Sequence, residues 1–248
     1  MTVPILQMSG RTDTGCRREH NEDQIAWDVE AGLALLADGM GGHNAGEVAS
    51  ALAISVLQPL LRDLPSDTLE QEMGMQNAVS DANAEILHKA ASEVVFNGMG
   101  TTLALAIFRG RSVMVGHVGD SRVYRLRDGR LEQLTSDHSL LQELVTGGFM
   151  SAEEARQSVS KNVITRALGI EPGVDVEVHH HEVQGGDRYL LCSDGLSDMV
   201  TDNAIAKLLM DYRDNLDAAT EALVAEANRC GGKDNISVIL VRVVALKE

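Results

Sequence analysis

Five aspartates in this 248-residue chain stand where an apolar segment meets a turn. Asp38 closes the run "LLADG", Asp194 closes "YLLCSDG", and Asp120 follows "VGHVG". Asp23 opens "DQIAWD" directly behind Glu22, and Asp234 precedes "NISVILV". Each apolar run reads as a strand entering a core, so each delivers its carboxylate to one rim of a sheet. A single Asp-Gly after a strand usually just makes a turn. Several carboxylates at one rim are different, because they repel strongly unless positive charge lies between them. Carboxylate oxygens without partnering His or Cys suit Mg²⁺ or Mn²⁺ rather than zinc. Gly39, after Asp38, has no Cβ to keep its backbone carbonyl away from such an ion.

The elements that must position these residues come in blocks. Residues 3–8 and 33–37 read as short strands. In "NAGEVASALAISVLQPLL", Val48, Leu52, Val56 and Leu60 run at four-residue steps beside Ala49, Ala53, Leu57 and Leu61, which predicts an amphipathic helix bent or ending near Pro59. A second helix is expected over roughly 67–95. From residue 101, "TTLALAIFRG", "RSVMVGHVGD", "SRVYRLRDG" and "RLEQLTSD" read as an antiparallel meander, with a hairpin turn at Asp128-Gly129. Residues 136–170 turn polar and helical, including "NVITRALG", and read as an inserted flap hinged at Gly147 and Gly148. Strands resume at "VDVEVHHHEV" and "DRYLLCSD", two helices follow, and "NISVILVRVV" closes the chain. Blocks of strands and helices without βαβ alternation indicate an α+β class, and two helical layers outside two packed antiparallel sheets would fit. Nothing marks a boundary, so residues 1–248 are expected to form one domain.

Bulk properties narrow the function. A net charge of −16 disfavours nucleic acid as a partner, since that binding relies on clustered Lys and Arg. The longest apolar runs fall far short of the roughly 20 residues of a membrane span, and no secretory leader is evident. A cytoplasmic monomer without membrane or nucleic-acid partners is the expectation. Cys16, Cys192 and Cys230 lack Cys-x-x-Cys spacing and read as reduced, mostly buried thiols. His179, His180 and His181 point to alternate faces of a strand and cannot ligate one ion together. His117 and His138 read as structural.

The stretches "RREHNED", "LLADGMGGHNAGEVAS", "GMGTTLALAI", "VGHVGDSRVYRLRDGRLEQLTSDHS", "LLCSDGLSDMVTD" and "GGKDNISVILV" resemble, in order and over nearly the whole chain, the motifs of a known family. It is the metal-dependent serine/threonine protein phosphatases of type 2C, the PPM family, in compact bacterial form. The resemblance implies a four-layer αββα sandwich with two Mn²⁺ or Mg²⁺ ions in a cleft at one edge of the sheets. Asp38 then corresponds to the carboxylate bridging both ions, the Gly39 carbonyl to a ligand of the second, and Asp194 and Asp234 to ligands of the first. Asp23, with Glu22 beside it, matches the acidic pair that reaches the second ion. Asp120 matches the position that, with Asp194, holds a third, weaker ion, and Asp198 is a further contributor. Arg18 corresponds to the arginine that grips the phosphate, a task suited to its planar fork.

The chemistry so implied is hydrolysis of phosphoserine and phosphothreonine in proteins by a metal-activated water, reversing a bacterial Ser/Thr kinase in signal transduction. Some family members carry a histidine directly after the Asp-Gly, where this chain has Met40. His43 and a metal-bound water are the two candidate proton donors for the leaving alkoxide, with the water favoured. Two rival readings are a phosphatase of nucleotides or other small esters, and an inactive phosphoprotein-binding module of the same fold. The first lacks a phosphate-cradling Gly-x-x-x-x-Gly-Lys loop, and the second would be expected to lose aspartates that are present here.

Overall fold

The computed structural model describes residues 3–42, 45–64, 68–151, 154–155 and 163–247. Strands β1 (Val3–Asp13), β2 (Asp23–Asp28) and β3 (Leu33–Met40) lead into helices α1 (Ala45–Arg62) and α2 (Thr68–Ser92). Strands β4 (Gly100–Thr101), β5 (Leu103–Arg109), β6 (Ser112–Val118), β7 (Arg122–Arg127) and β8 (Arg130–Gln133) follow, then helix α3 (Leu140–Thr146). The chain continues through β9 (Glu177–Glu182), β10 (Arg188–Cys192), α4 (Asp194–Ser197), α5 (Asp202–Asp211), α6 (Leu216–Arg229) and β11 (Ile236–Lys247). One antiparallel sheet has the order β1-β11-β10-β7-β8 and the other β2-β3-β5-β6-β9, with β4 paired to β3.

Alternation along the strands sorts side chains into layers, because successive residues face opposite ways. Leu33, Leu35 and Ala37 of β3 pack with Leu57, Leu61 and Met75 of the first two helices. Ala34 and Leu36 face the other way and meet Leu191, Ile239 and Val241 between the sheets. Leu190, Val238 and Leu240 turn outward again onto Ile205, Leu209 and Leu223 of α5 and α6. Three apolar seams thus separate four layers, the αββα sandwich the motifs imply. The Asp128-Gly129 hairpin also forms, with both residues at positive φ, 51° and 78°, as a two-residue turn between β7 and β8 requires.

Four expectations need correction. The meander is split: β6 lies in one sheet and β7 in the other, so residues 119–121 carry the chain across the sandwich. Local alternation is identical whichever sheet a strand joins. Helix α1 runs through Pro59 to Arg62, since buried Leu57 and Leu61 on either side hold both turns against β3. Residues 163–170 are not helical; they form isolated bridges, Ser139 with Ile164 and Thr101 with Leu168. Of the free thiols only Cys192 is buried, while Cys16 and Cys230 are exposed. Much of the "SAEEARQSV" stretch lies outside the described residues.

Leu57 is fully buried in the seam between α1 and the β3 sheet. Leu57→Ala removes that burial and leaves a cavity, at a cost of about 2–5 kcal/mol. Urea unfolding should show a lower midpoint with the denaturant slope unchanged.

Candidate active site

The sandwich brings the sequence-singled acids to one rim. Asp23 at the start of β2 lies directly opposite Asp38 near the end of β3. Asp194 opens α4 immediately after β10, Asp234 precedes β11, and Asp120 occupies the crossing between β6 and β7. Each of Asp23, Asp120, Asp194 and Asp234 acts electrostatically on Asp38, so both sheets contribute to a single cluster.

Uncharged groups fix this rim. The Asp38 carbonyl accepts from Thr102 N (2.9 Å) and Thr101 Oγ1 (2.9 Å). Thr102 Oγ1 in turn accepts from Asp38 N at 3.1 Å and lies 2.7 Å from Ser121 Oγ, which ties Asp38 to the Asp120 turn. Ser193 Oγ donates to Asp23 Oδ2 at 2.9 Å and accepts from Ser237 N at 3.0 Å. Buried Asn235 organises the loop between β1 and β2: its Oδ1 accepts from Glu22 N (2.9 Å), and its Nδ2 donates to Thr14 O (3.0 Å) and His20 O (2.9 Å). Helix α1 is drawn onto the rim by Ser50 Oγ, which donates to Glu22 O at 2.6 Å. It also needs glycine at two facing positions, since a Cβ on Gly39 would stand 2.2 Å from Gly46 O and one on Gly46 2.7 Å from Gly39 C.

The resulting electrostatics are strained. Burial, with the neighbouring acids adding to it, pushes the Asp38 and Asp194 carboxyls well above the ordinary aspartate value. Burial likewise lifts Asp23 and Asp120 to about 6. Glu22 is raised by burial, with Arg18 working in the opposite direction. Asp23 Oδ1 and Asp120 Oδ1 are buried and have no hydrogen-bond partner among the described residues. An oxygen-only set with two orphaned buried acceptors fits hard divalent cations.

The other expected residues fall into place unevenly. Arg18 Nη2 donates to Asp234 Oδ2 at 2.7 Å, which holds an exposed guanidinium at the mouth of the cluster. Asp198 raises the carboxyls of both Asp120 and Asp194, so it lies within their reach. Gly147 caps α3 and Gly148 follows it at φ +73°. His43 lies outside the described residues. A cleft of about 770 Å³ extends from Asp120, Asp194 and Asp198 to Leu141, Gln142 and Val145 of α3. The flap therefore borders the site. Its root is pinned by Arg122, whose Nε and Nη2 reach Asp137 at 2.9 and 2.6 Å.

Sequence reasoning missed Asn235, Ser193, Thr102 and Arg122 as supports. Their signal was only adjacency, each lying within three residues of a singled-out aspartate or in a motif stretch; their partners are distant in the chain.

A αββα sandwich with a carboxylate cluster at its rim defines a class, the metal-dependent phosphatase architecture that the motifs implied. The family model for protein phosphatase 2C matches residues 16–230, and the chain belongs to that family. It is 40% identical over 236 residues to the serine/threonine phosphatase stp of Listeria innocua, covering 93% of each chain. The crystal structure of the Mycobacterium tuberculosis serine/threonine phosphatase PstP/Ppp superposes with a TM-score of 0.90 at 40% identity, over 96% of this chain and 98% of that one. A PstP catalytic domain in complex with two manganese ions gives a TM-score of 0.88 at 40% identity, over 98% of this chain and 100% of that one.

The raised carboxyls set a pH dependence. In the metal-free fold Asp23 and Asp120 protonate near pH 6, whereas unfolded aspartates protonate near 3.8, so between those values the folded state holds more protons. Stability then rises as pH falls through that window, and is lost as pH rises through the folded value. Protein in EDTA should unfold at a higher temperature at about pH 5.5 than at about pH 7.5, and Mn²⁺ should stabilise it most at the higher pH. Scanning calorimetry at both pH values checks the order.

Proposed function

We propose that this protein is a Mn²⁺/Mg²⁺-dependent phosphatase that hydrolyses phosphoserine and phosphothreonine in proteins, one catalytic domain acting as a cytoplasmic monomer against a bacterial Ser/Thr kinase. The observation that carries the reading is the convergence of five aspartates from both sheets on one rim, with Arg18 at its mouth. Family membership and the phosphatase names of the relatives support it. No described helix is long and apolar enough to cross a membrane.

Asp38, central to the cluster, would serve two ions, one held with Asp194 and Asp234 and the other with the Gly39 carbonyl, Asp23 and Glu22. Asp120 and Asp194, with Asp198 nearby, provide a third. When bound, two such ions lower the pKa of a water for attack on phosphorus and neutralise the phosphoryl oxygens. Arg18 presents its fork to the phosphate, and the Asp234 ion pair keeps it at the site. Ser193, Asn235 and Thr102 hold the carboxylates in place, so little reorganisation accompanies the reaction. The Met40 thioether has no proton to give, and a water in the cleft protonates the leaving alkoxide. Residues 136–170, of which Ser139, Leu141, Gln142, Val145 and Ala155 line the cleft, gate access and select among phosphoproteins.

Asp38→Asn should lower kcat/KM on a phosphothreonine peptide by more than the roughly 10–100-fold that changes behind a metal ligand cost. Excess EDTA should abolish turnover; persistence of hydrolysis in EDTA would refute the mechanism. Deleting residues 145–160 should slow phosphopeptide hydrolysis more than that of p-nitrophenyl phosphate. Equal, unchanged rates on both would remove the gating role.

A further inference from the structure

Outside the carboxylate rim, four side chains meet at the edge of the second sheet. His117 on β6 lies directly opposite Glu177 on β9, and His179 shares that face two residues along. His138, from the flap root, stacks on His117 with ring centroids 4.5 Å apart and planes 22° apart. Ligand atoms of His117, His138 and Glu177 all lie within 4.8 Å of one another, a spacing a metal ion could use. The hydrogen bonds of His138 speak against its ligating an ion. Gly119 N donates to His138 Nδ1 at 3.1 Å, so Nδ1 must carry the lone pair and the neutral ring's proton sits on Nε2. Nε2 lies 3.1 Å from Glu177 Oε2 and donates to it, leaving no lone pair for a metal.

The same bonds describe a clamp on the catalytic rim. His138 holds Gly119 twice, since His138 N also donates to Gly119 O at 2.9 Å. Gly119 immediately precedes Asp120 and adopts φ +101° in the crossing between the sheets. Behind His138, Glu177 is fixed from its other oxygen by His179 Nε2 at 2.6 Å. Burial opposes the Glu177 charge, but the bonds from His138 and His179 outweigh it and hold its pKa below the ordinary glutamate value. The His117 ring is itself held by Nε2 against Ser136 O at 2.9 Å, and it forms a wall for His138. Burial lowers the His117 pKa, which keeps that wall uncharged.

We propose that His138 is a positioning residue for the Asp120 carboxylate, locked in one tautomer and orientation by Glu177 and by the His117 ring. The part concerning Asp120 as an ion ligand rests on the function proposed above. The clamp gives buried His138 a role beside an acidic site: it acts on the backbone turn that carries Asp120, as outer partners hold metal ligands in place.

Glu177 is partly exposed, at 34% of its side chain, so variants there should fold. In ¹⁵N-histidine NMR of metal-free wild type, His138 should appear as the Nε2–H tautomer; the Nδ1–H form, or one equivalent of Zn²⁺ bound at this cluster, would overturn the clamp. Glu177→Ala should raise the Mn²⁺ concentration for half-maximal phosphopeptide hydrolysis by roughly 10-fold. Glu177→Gln, which still accepts from Nε2, should restore it, with both variants melting alike. An unchanged Mn²⁺ requirement in Glu177→Ala refutes the positioning role. Because the NMR readout needs neither metal nor turnover, it judges the clamp even if the wild type proves inactive on phosphopeptides.

Discussion

Mutual repulsion among buried carboxylates is the constraint around which this protein is organised. Asp38 sits within the fields of Asp23, Asp120, Asp194 and Asp234, and the folded scaffold keeps them there although nothing among the described residues neutralises them fully. Arg18 pairs with Asp234 and Arg122 is consumed by Asp137, which leaves Asp23 and Asp120 each with a buried oxygen that accepts no hydrogen bond among the described residues. A group of acids in that condition favours protons or cations, and cations of the hard divalent class satisfy several at once. The cost of assembling the cluster is what gives the site its affinity for charge.

Holding that cluster requires a scaffold that does not yield, and the four-layer sandwich provides one. The three apolar seams fix strand ends from both sheets within reach of each other. Short hydroxyl and amide links then set the final geometry: Ser193 joins Asp23 to β11 through Ser237, Thr102 joins Asp38 to Ser121, and Asn235 gathers the loop that carries Arg18 and Glu22. These supports are neutral, so they orient carboxylates without cancelling the field that draws the ions. Tight backbone contact does the same at Gly39 and Gly46, where α1 meets β3 with no space for a side chain on either.

The crossing at residues 119–121 links the site to the flap. Asp120 hangs from that crossing, His138 of the flap root grips it through Gly119, and Arg122 just beyond it anchors Asp137. The flap root and the turn that carries Asp120 are therefore joined by hydrogen bonds and an ion pair.

The sequence by itself determined most of the strands and helices, though not the non-helical course of residues 163–170, and the acids at their ends, because period-2 and period-3.6 patterns and Asp-Gly turns are local properties. It also carried the family, since Arg18, Asp38, Asp194 and Asp234 lie in stretches whose order and spacing are distinctive. Tertiary structure decided everything that depends on which strands become neighbours. Alternation in β6 and β7 reads the same in one sheet or two, so the split of the meander was not legible, and neither was the placement of Asp120 at the crossing. Pro59 suggested a bend or a helix end, and packing of Leu57 and Leu61 carries the helix past it to Arg62. Asn235, Ser193 and the His117–His138–Glu177 cluster bond to partners that lie far from them in sequence. Polar supports of this kind leave no periodic trace, because their roles are set by geometry between segments that only the folded chain brings together.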